Sequence, residues 1–384
     1  VAAMVLERAG SDSWAASLAT MQGWRRTHED AYILRCGLGA GEGGVFAVLD
    51  GHGGSASAEQ AAKLLEARLL ELARRGTLEA GVAARELQAA FLAVDAQLRR
   101  RLPPEDGSGT TVVAAVVTEP QPGEYCVQLA HSGDSRAVLR VGRQLVCSED
   151  HKPGREDESE RILAAGGTVE QGSTFGGPPR VDGSLAVSRA LGDFQFKPED
   201  LDPERCKVTA MPEVRTVARC AAGDWLLLAC DGIFDVMENE EVRDFVGARL
   251  EHAAPGRADG ATILVDLLTH CLERGSKDNC TACLVQLGPG GVPELPPREL
   301  LQGPWAKAQP TVQEKYADFF AAHGFGEAAG AVLATRRRCA NAHCQYLVHP
   351  NANLVASHCC IKCRDSPPGE PPAHGPKCQH RRAP

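Results

Sequence analysis

Four aspartates in this chain stand where a strand-like apolar run begins or stops, and that placement carries chemical content. Asp50 ends VFAVLD and is followed by Gly51, His52, Gly53 and Gly54. Asp134 lies in HSGDSR, Asp231 ends LLLACD with Asp235 one turn further on, and Asp278 lies in GSKDN just ahead of TACLVQL. A charge at the end of a buried strand is costly unless it is paired or bound to a metal, and no complementary set of Lys or Arg accompanies all four. A shared group of divalent cations would relieve that cost. Oxygen-only ligands favour Mg2+ or Mn2+; zinc would call for His or Cys, which these strand ends lack. Two ions ~4 Å apart could share Asp50 and a bridging water, lower its pKa and clamp a phosphoryl group. The glycines after Asp50 leave room for a backbone carbonyl to reach an ion. Any single Asp-Gly at a strand end is ordinarily a turn; the signal lies in several such acids in one chain.

The elements that must position these acids are short. Residues 45–49, 112–117, 125–130, 136–141, 226–230 and 281–287 are apolar or β-branched runs bounded by turn residues, which predicts strands. Several are separated by only a few residues, which favours antiparallel neighbours over βαβ crossovers. Residues 56–75 and 79–102 are rich in Ala, Leu, Glu and Arg and predict helices. Residues 239–251 and 261–274 place apolar side chains at helical spacing, the first behind Asn239, the second stopping at Gly275. The expectation is an α+β fold of antiparallel sheets with helices on the outside.

Composition bounds the rest. The chain of 384 residues carries a net charge of −9, yet residues 336–384 hold eight Lys or Arg against Asp365 and Glu370, so the remainder is strongly acidic. An acidic body argues against nucleic-acid binding and suits a protein that gathers carboxylates around cations. No apolar run approaches the ~18 residues of a membrane span, and the N-terminus lacks a basic region followed by an apolar stretch. The expected location is therefore the cytoplasm, the nucleus or both. The chain begins at Val1 and reads as truncated. Of fifteen cysteines, nine lie between residues 36 and 283, mostly in strand-like runs, as buried reduced thiols would.

Eight segments together resemble the metal-dependent protein phosphatases of type 2C, the PPM family: MQGWRRTHEDA (21–31), VFAVLDGHGG (45–54), SGTT (108–111), SGDSRAVL (132–139), DHKP (150–153), DGSLAVSRALGDF (182–194), LLLACDGIFDV (226–236) and GSKDNCTACLV (275–285). They follow the family's order and spacing over residues 14–287, and the look is that of the animal Mg2+/Mn2+-dependent alpha and beta forms and their N relative. The resemblance implies a four-layer α/β/β/α sandwich with metals in a cleft at one end. It implies hydrolysis of phosphoserine and phosphothreonine on phosphoprotein substrates, by attack of a water or hydroxide bridging two Mg2+ or Mn2+ ions, in a monomeric enzyme. Asp50 then bridges both metals and the Gly51 carbonyl reaches the second. Asp231 and Asp278 serve the first metal; Glu29 and Asp30 serve the second, directly or through water. Asp134 and Asp235, with Asp231, resemble the acids of a weaker third metal position. Arg25 matches the arginine that holds the substrate phosphate, for which a guanidinium fork is suited. His52 matches the general acid for the leaving oxygen. Arg189 and Asp193, in the flap and substrate region, are expected to fix local structure near the cleft. His131 and His151 lie within the motifs but receive no chemistry.

Two departures stand out. Phe234 occupies a position where relatives often carry Trp, and residues 171–180 (QGSTFGGPPR) are longer and richer in Gly and Pro than expected before the flap. Residues 1–13 read as an N-terminal segment, 14–287 as the catalytic domain, 288–335 as a Pro/Gly linker with short helices, and 336–384 as a basic, disordered Cys/His-rich tail. In the tail Cys339 and Cys344 bracket His343, and Cys360 and Cys363 form a CxxC. A zinc knuckle there is the weaker reading, because the CxxxxC spacing is loose. Cysteine-based phosphatases are excluded, since no cysteine has Arg six residues later. The alternatives left open are a metal-binding regulatory scaffold without activity, or another metal-dependent phosphoesterase such as a nuclease.

Overall fold

Val45, Phe46, Ala47, Val48 and Leu49 are all fully buried, so the strand they form is covered on both faces, and this is why it reads as a continuous apolar run rather than an alternating one. The computed structural model describes residues 3–36, 43–75, 82–172, 177–252, 258–288, 295–308 and 310–328. Two units are distinguished: one gathers Met4–Gly23 with His28–Glu299, the other Val1–Ala3, Trp24–Thr27 and Leu300–Pro384.

In the larger unit the chain runs β1 (Met4–Gly10), β2 (Trp14–Met21), β3 (Ala31–Cys36), β4 (Gly43–Leu49), β5 (Gly51–His52), α1 (Ala56–Arg74), α2 (Ala83–Arg101), β6 (Gly109–Thr110), β7 (Val112–Gln121), β8 (Glu124–Ser132), β9 (Arg136–Val141) and β10 (Gln144–Cys147). It continues with α3 (Glu156–Ala164), β11 (Val169–Gly172), β12 (Gly177–Val181), β13 (Leu191–Gly192), β14 (Glu213–Ala221), β15 (Trp225–Ala229), α4 (Asp231–Phe234), α5 (Asn239–His252), α6 (Gly260–Glu273) and β16 (Cys280–Leu287). One sheet orders β10-β9-β15-β16-β2-β1 and the other β14-β8-β7-β4-β3, every pairing antiparallel. The residues before Trp14, set apart on sequence, supply β1, paired with β2 from Met4↔Met21 to Gly10↔Ala15.

Helices α1 and α2 pack Leu65, Leu69, Leu87, Phe91, Val94 and Leu98 onto Val45, Ala47, Leu49, Val112, Ala114 and Val116 of one sheet. Helix α6 packs on β2 and β16 of the other. The alternate residues of β4 face the opposite sheet, where Phe46 meets Trp14 edge-on at 5.4 Å. Helix, sheet, sheet and helix thus form the four layers expected. Among the described residues no helix is long and apolar enough to cross a membrane.

A charged anchor fixes the segment that returns toward the strand ends. Glu158 of α3 is fully buried, and its carboxylate accepts from Arg161 Nη2 (2.7 Å) and from Arg189 Nε and Nη2 (2.9 and 2.6 Å). Arg189 Nη1 also donates to Met211 O at 3.1 Å. Burial opposes the Glu158 charge, but the two guanidinium groups outweigh it and hold the carboxyl well below its usual range. Glu158→Gln leaves buried arginines without their counter-charge, so we expect a loss of about 3–5 kcal/mol in chemical denaturation.

The smaller unit has its own core. Trp305 and Phe320 meet edge-on at 4.5 Å, and Tyr316 and Phe319 are buried with them. Trp305 Nε1 donates to Gln313 O (3.0 Å) in helix α7 (Pro310–Lys315), and Phe319 and Phe320 come from helix α8 (Ala317–Ala322). Lys315 Nζ donates to Trp24 O at 2.6 Å.

Candidate active site

Antiparallel register brings the acids together. Leu49 pairs with Ala31, so Asp50 after β4 lies beside Asp30 before β3. Ala229 pairs with Ala282, so Asp231 after β15 lies at the same sheet end as Asp278 before β16. Asp134 sits in the turn from β8 to β9, and β9 pairs with β15 from Arg136↔Ala229. A carboxylate placed just past a strand end is therefore drawn to one edge of the sandwich, whatever its separation in sequence.

The electrostatics show how close these groups are. Burial, then the charges of Asp30, Asp134 and Asp278, pushes the Asp50 carboxyl well up, and Asp50 shares a hydrogen bond with Asp231. Asp231 is pushed up by burial and by Asp50, Asp134, Asp235 and Asp278. Asp30 rises to about 7, mainly through burial. Asp235, exposed at the rim, also rises, through desolvation first and then the charges of Asp134 and Asp278, with Lys152 pulling the other way. Crowding of this kind opposes ionisation, and a divalent cation among the carboxylates would relieve it.

The supporting contacts are specific. Thr281 Oγ1 donates to Asp30 Oδ2 (2.6 Å), while Asp30 Oδ1 is buried without a hydrogen-bond partner. Glu29 N–H donates to Asn279 Oδ1 (2.9 Å), and Glu29 Oε2 accepts from Gly54 N–H (3.3 Å). A Cβ on Gly51 would fall 2.2 Å from Glu29 O, so only glycine lets these two backbones touch beside Asp50. An all-oxygen cluster with an unmatched buried oxygen fits a divalent cation of the Mg2+ or Mn2+ type.

His52 and Asp193 meet across 141 positions, His52 Nε2 lying 2.7 Å from Asp193 Oδ2. The pair lies over Gly109, where a Cβ would come within 2.1 Å of Asp193 Oδ2 and 2.4 Å of His52 Nε2. Burial opposes the His52 charge, but Asp193, Asp134 and Glu29 outweigh it and raise the imidazole above its ordinary value. Asp193 itself is held at φ 52°, with its N–H on Ser108 O (3.0 Å). The adjoining chain is clamped by a buried ion pair: Lys197 Nζ sits 2.9 Å from Asp95 Oδ2, and Asp95 Oδ1 accepts from Gly192 N–H at 2.8 Å.

The structure places the other sequence candidates as follows. Arg189 is an anchor for Glu158 and Met211, as described above. Arg25 lies on the exposed Trp24–Thr27 segment of the smaller unit. Phe234 packs its ring under Arg136, 4.9 Å from the guanidinium carbon, so the smaller aromatic still stacks on a cation. Residues 173–176 of the flap approach and the tail with Cys339, His343, Cys344, Cys360 and Cys363 lie outside the described residues.

Two features went unread in the sequence. The first is Lys152, in DHKP, which forms an ion pair with Asp134; the acids are thus not wholly without a basic partner. The second is the trio His131, His151 and Glu213, whose ligand-type atoms lie within 4.8 Å of one another. Its donor set would suit zinc, but its geometry does not. The two rings stack at 4.5 Å with planes 20° apart, so their in-plane lone pairs cannot converge on one ion. His151 Nδ1 accepts from Gly133 N–H (3.2 Å), which leaves the proton on Nε2, facing Glu213 at 3.5 Å. Burial lowers His151 to about 4, and it stays neutral.

Comparison with known proteins adds an independent line. The family profile described as Protein phosphatase 2C matches residues 14–280. Probable protein phosphatase 1N of Mus musculus is 41% identical over 276 residues, which is 71% of this chain and 64% of that protein. The Homo sapiens protein of the same name is 41% identical over 286 residues, 73% of this chain and 62% of its own length. The chain thus spans less than two thirds of these relatives. Among solved structures, a phosphatase from a pathogenic strain of Toxoplasma gondii superposes with a TM-score of 0.65 at 28% identity, over 78% of this chain and 99% of that one.

Proposed function

Because the chain belongs to the protein phosphatase 2C family, we propose that it is a protein serine/threonine phosphatase dependent on two Mg2+ or Mn2+ ions. The observation that carries this reading is the convergence of Asp30, Asp50, Asp134, Asp231, Asp235 and Asp278, from strands of both sheets, at one end of the sandwich, where each raises or is raised by the charge of the others. In this reading Asp50 would serve both ions, the Gly51 carbonyl, Glu29 and Asp30 would help to hold one of them, and Asp231 and Asp278 would help to hold the other. Asp134 and Asp235, with Asp231, form a third and weaker position. When bound, the ions supply Lewis acidity toward the phosphoryl oxygens and a water made nucleophilic at neutral pH.

The chain's own groups do the remainder. Arg25 is proposed, on the family resemblance, as the guanidinium fork for the phosphate oxygens. His52 delivers a proton to the departing serine or threonine oxygen, oriented by Asp193 through Nε2. A histidine raised by a buried carboxylate keeps that proton further into the alkaline range. All proposed metal ligands come from one chain, which supports action as a monomer on phosphoprotein substrates.

The direct test is release of phosphate from phosphoserine and phosphothreonine peptides with and without added Mn2+. Turnover that appears with Mn2+ and vanishes in chelator is expected; inertness toward every phosphopeptide at saturating Mn2+ would sink the reading. Asp193→Asn provides a second check. It removes the charge that raises His52, so the alkaline limb of the kcat profile moves to lower pH and kcat falls by roughly 10- to 100-fold. An unmoved profile would reduce Asp193 to a loop anchor.

A further inference from the structure

The acidic edge already holds one cation of the chain's own. Lys152 Nζ is ion-paired with Asp134 Oδ2, and the field of Asp231 also acts on it. Lys152 in turn acts on Asp235, which Asp134 and Asp278 repel. One ammonium therefore faces the corner formed by Asp134, Asp231 and Asp235. The neighbouring Asp150 also attracts Lys152, although its carboxylate is shared with Arg136, accepting from Nε and Nη2 at 2.6 and 3.0 Å. The side chain of Asp134 is 5% exposed and that of Lys152 is 39% exposed. The carboxylate is fixed in the interior, while the ammonium lies on a flexible four-carbon stem with solvent within reach.

We propose that Lys152 is a displaceable internal counter-ion: it neutralises the Asp134–Asp231–Asp235 corner, and a divalent cation enters that corner only by expelling the lysine head into water. The inference rests on the reading that these acids bind divalent ions. A protonated amine offers no lone pair to a metal, and two cations sharing one buried carboxylate repel strongly where water is excluded. Occupancy of this corner is thus a competition between two cations for Asp134. Competition with Lys152 weakens divalent binding at this corner, which makes it the weaker class of site in the proposed centre. Loading the corner also releases a mobile positive charge at the rim of the site.

Calorimetric titration of Mn2+ into the full chain tests this. The wild type is expected to show a tighter class of sites and a weaker one, with Asp134→Asn removing the weaker class. Lys152→Gln should tighten the weaker class by on the order of tenfold and leave the tighter class in place. A second measurement uses the unaltered chain: amine acylation at Lys152, followed by mass spectrometry, should rise at saturating Mn2+ because the head group is expelled. A Lys152→Gln titration that superposes on the wild type, or Lys152 labelling that stays level or falls as Mn2+ is added, overturns the proposal even if the chain hydrolyses phosphopeptides. A chain that binds no Mn2+ at all overturns the proposal together with the reading on which it rests.

Discussion

Asp50→Asn is expected to cut phosphopeptide turnover by about a thousandfold or more and, in chelator, to make the protein more stable than the wild type. The two effects share one cause. Asp50 is half-buried at its strand end, its charge is raised in energy by desolvation and by Asp30, Asp134 and Asp278, and it shares a hydrogen bond with Asp231. Without ions that charge is a liability, and asparagine keeps the volume while removing it. With ions, in the proposed mechanism, the same carboxylate is common to both, so its loss weakens the whole centre; several kcal/mol of transition-state stabilisation correspond to factors of this size. The measurements are kcat at saturating Mn2+ and the thermal midpoint in chelator. A variant that loses activity but is also less stable in chelator would mean that Asp50 supports the fold rather than the ions.

The second large effect is on stability as a function of pH. A carboxyl whose folded pKa is raised contributes stability that is complete below its unfolded pKa and is lost as pH rises through the folded value. Asp30 rises to about 7, and Asp50 and Asp231 are pushed well up. The chelated protein should therefore gain stability as pH is lowered from 8 to 6.5, by about 1.4 kcal/mol per pH unit for each carboxyl still protonating in that window. His151 pulls the opposite way: its folded value of about 4 means stability is lost below about 6.5, its ordinary value, so the rise should flatten there. Saturating Mn2+ should raise the midpoint at pH 8 and abolish the gain on acidification. Midpoints measured across pH with and without Mn2+ check this; parallel curves would show that no ion engages these acids.

The parts of the fold legible in the sequence were those buried on both sides. VFAVL and LLLAC read as strands because neither face meets water. β14 (Glu213–Ala221) escaped notice because nearly all its side chains are at least partly exposed, Cys220 alone being fully buried, so neither an apolar run nor a clean alternation marks it. Helix α3 shows the same limit from the other side. Glu156, Glu158 and Glu160 look alike in EDESERILA, and only the fold reveals that Glu158 alone turns inward to meet arginines. At the site, the acids announced themselves by position at strand ends, a local property. Their organisers did not: Asp193 reaches His52 and Lys197 reaches Asp95 from about a hundred residues away or more, and no spacing rule relates such pairs. Lys152 stood in plain view beside Asp150, but its partner across the turn is Asp134, a choice made by β8 and β9 rather than by sequence neighbours.

The nine cysteines of the described region lead somewhere different. None is bridged, and each thiol is shifted upward, chiefly by burial: Cys36 and Cys147 to about 11, Cys220 and Cys271 to about 12, and Cys230 and Cys280, beside the acids, well above the ordinary thiol value. Peroxide and alkylating agents attack the thiolate, which these residues scarcely form at neutral pH. A burst of oxidant that inactivates thiol-dependent dephosphorylation would find few thiolates in this region, so the phosphatase activity proposed for it would persist through oxidative signals that silence other enzymes.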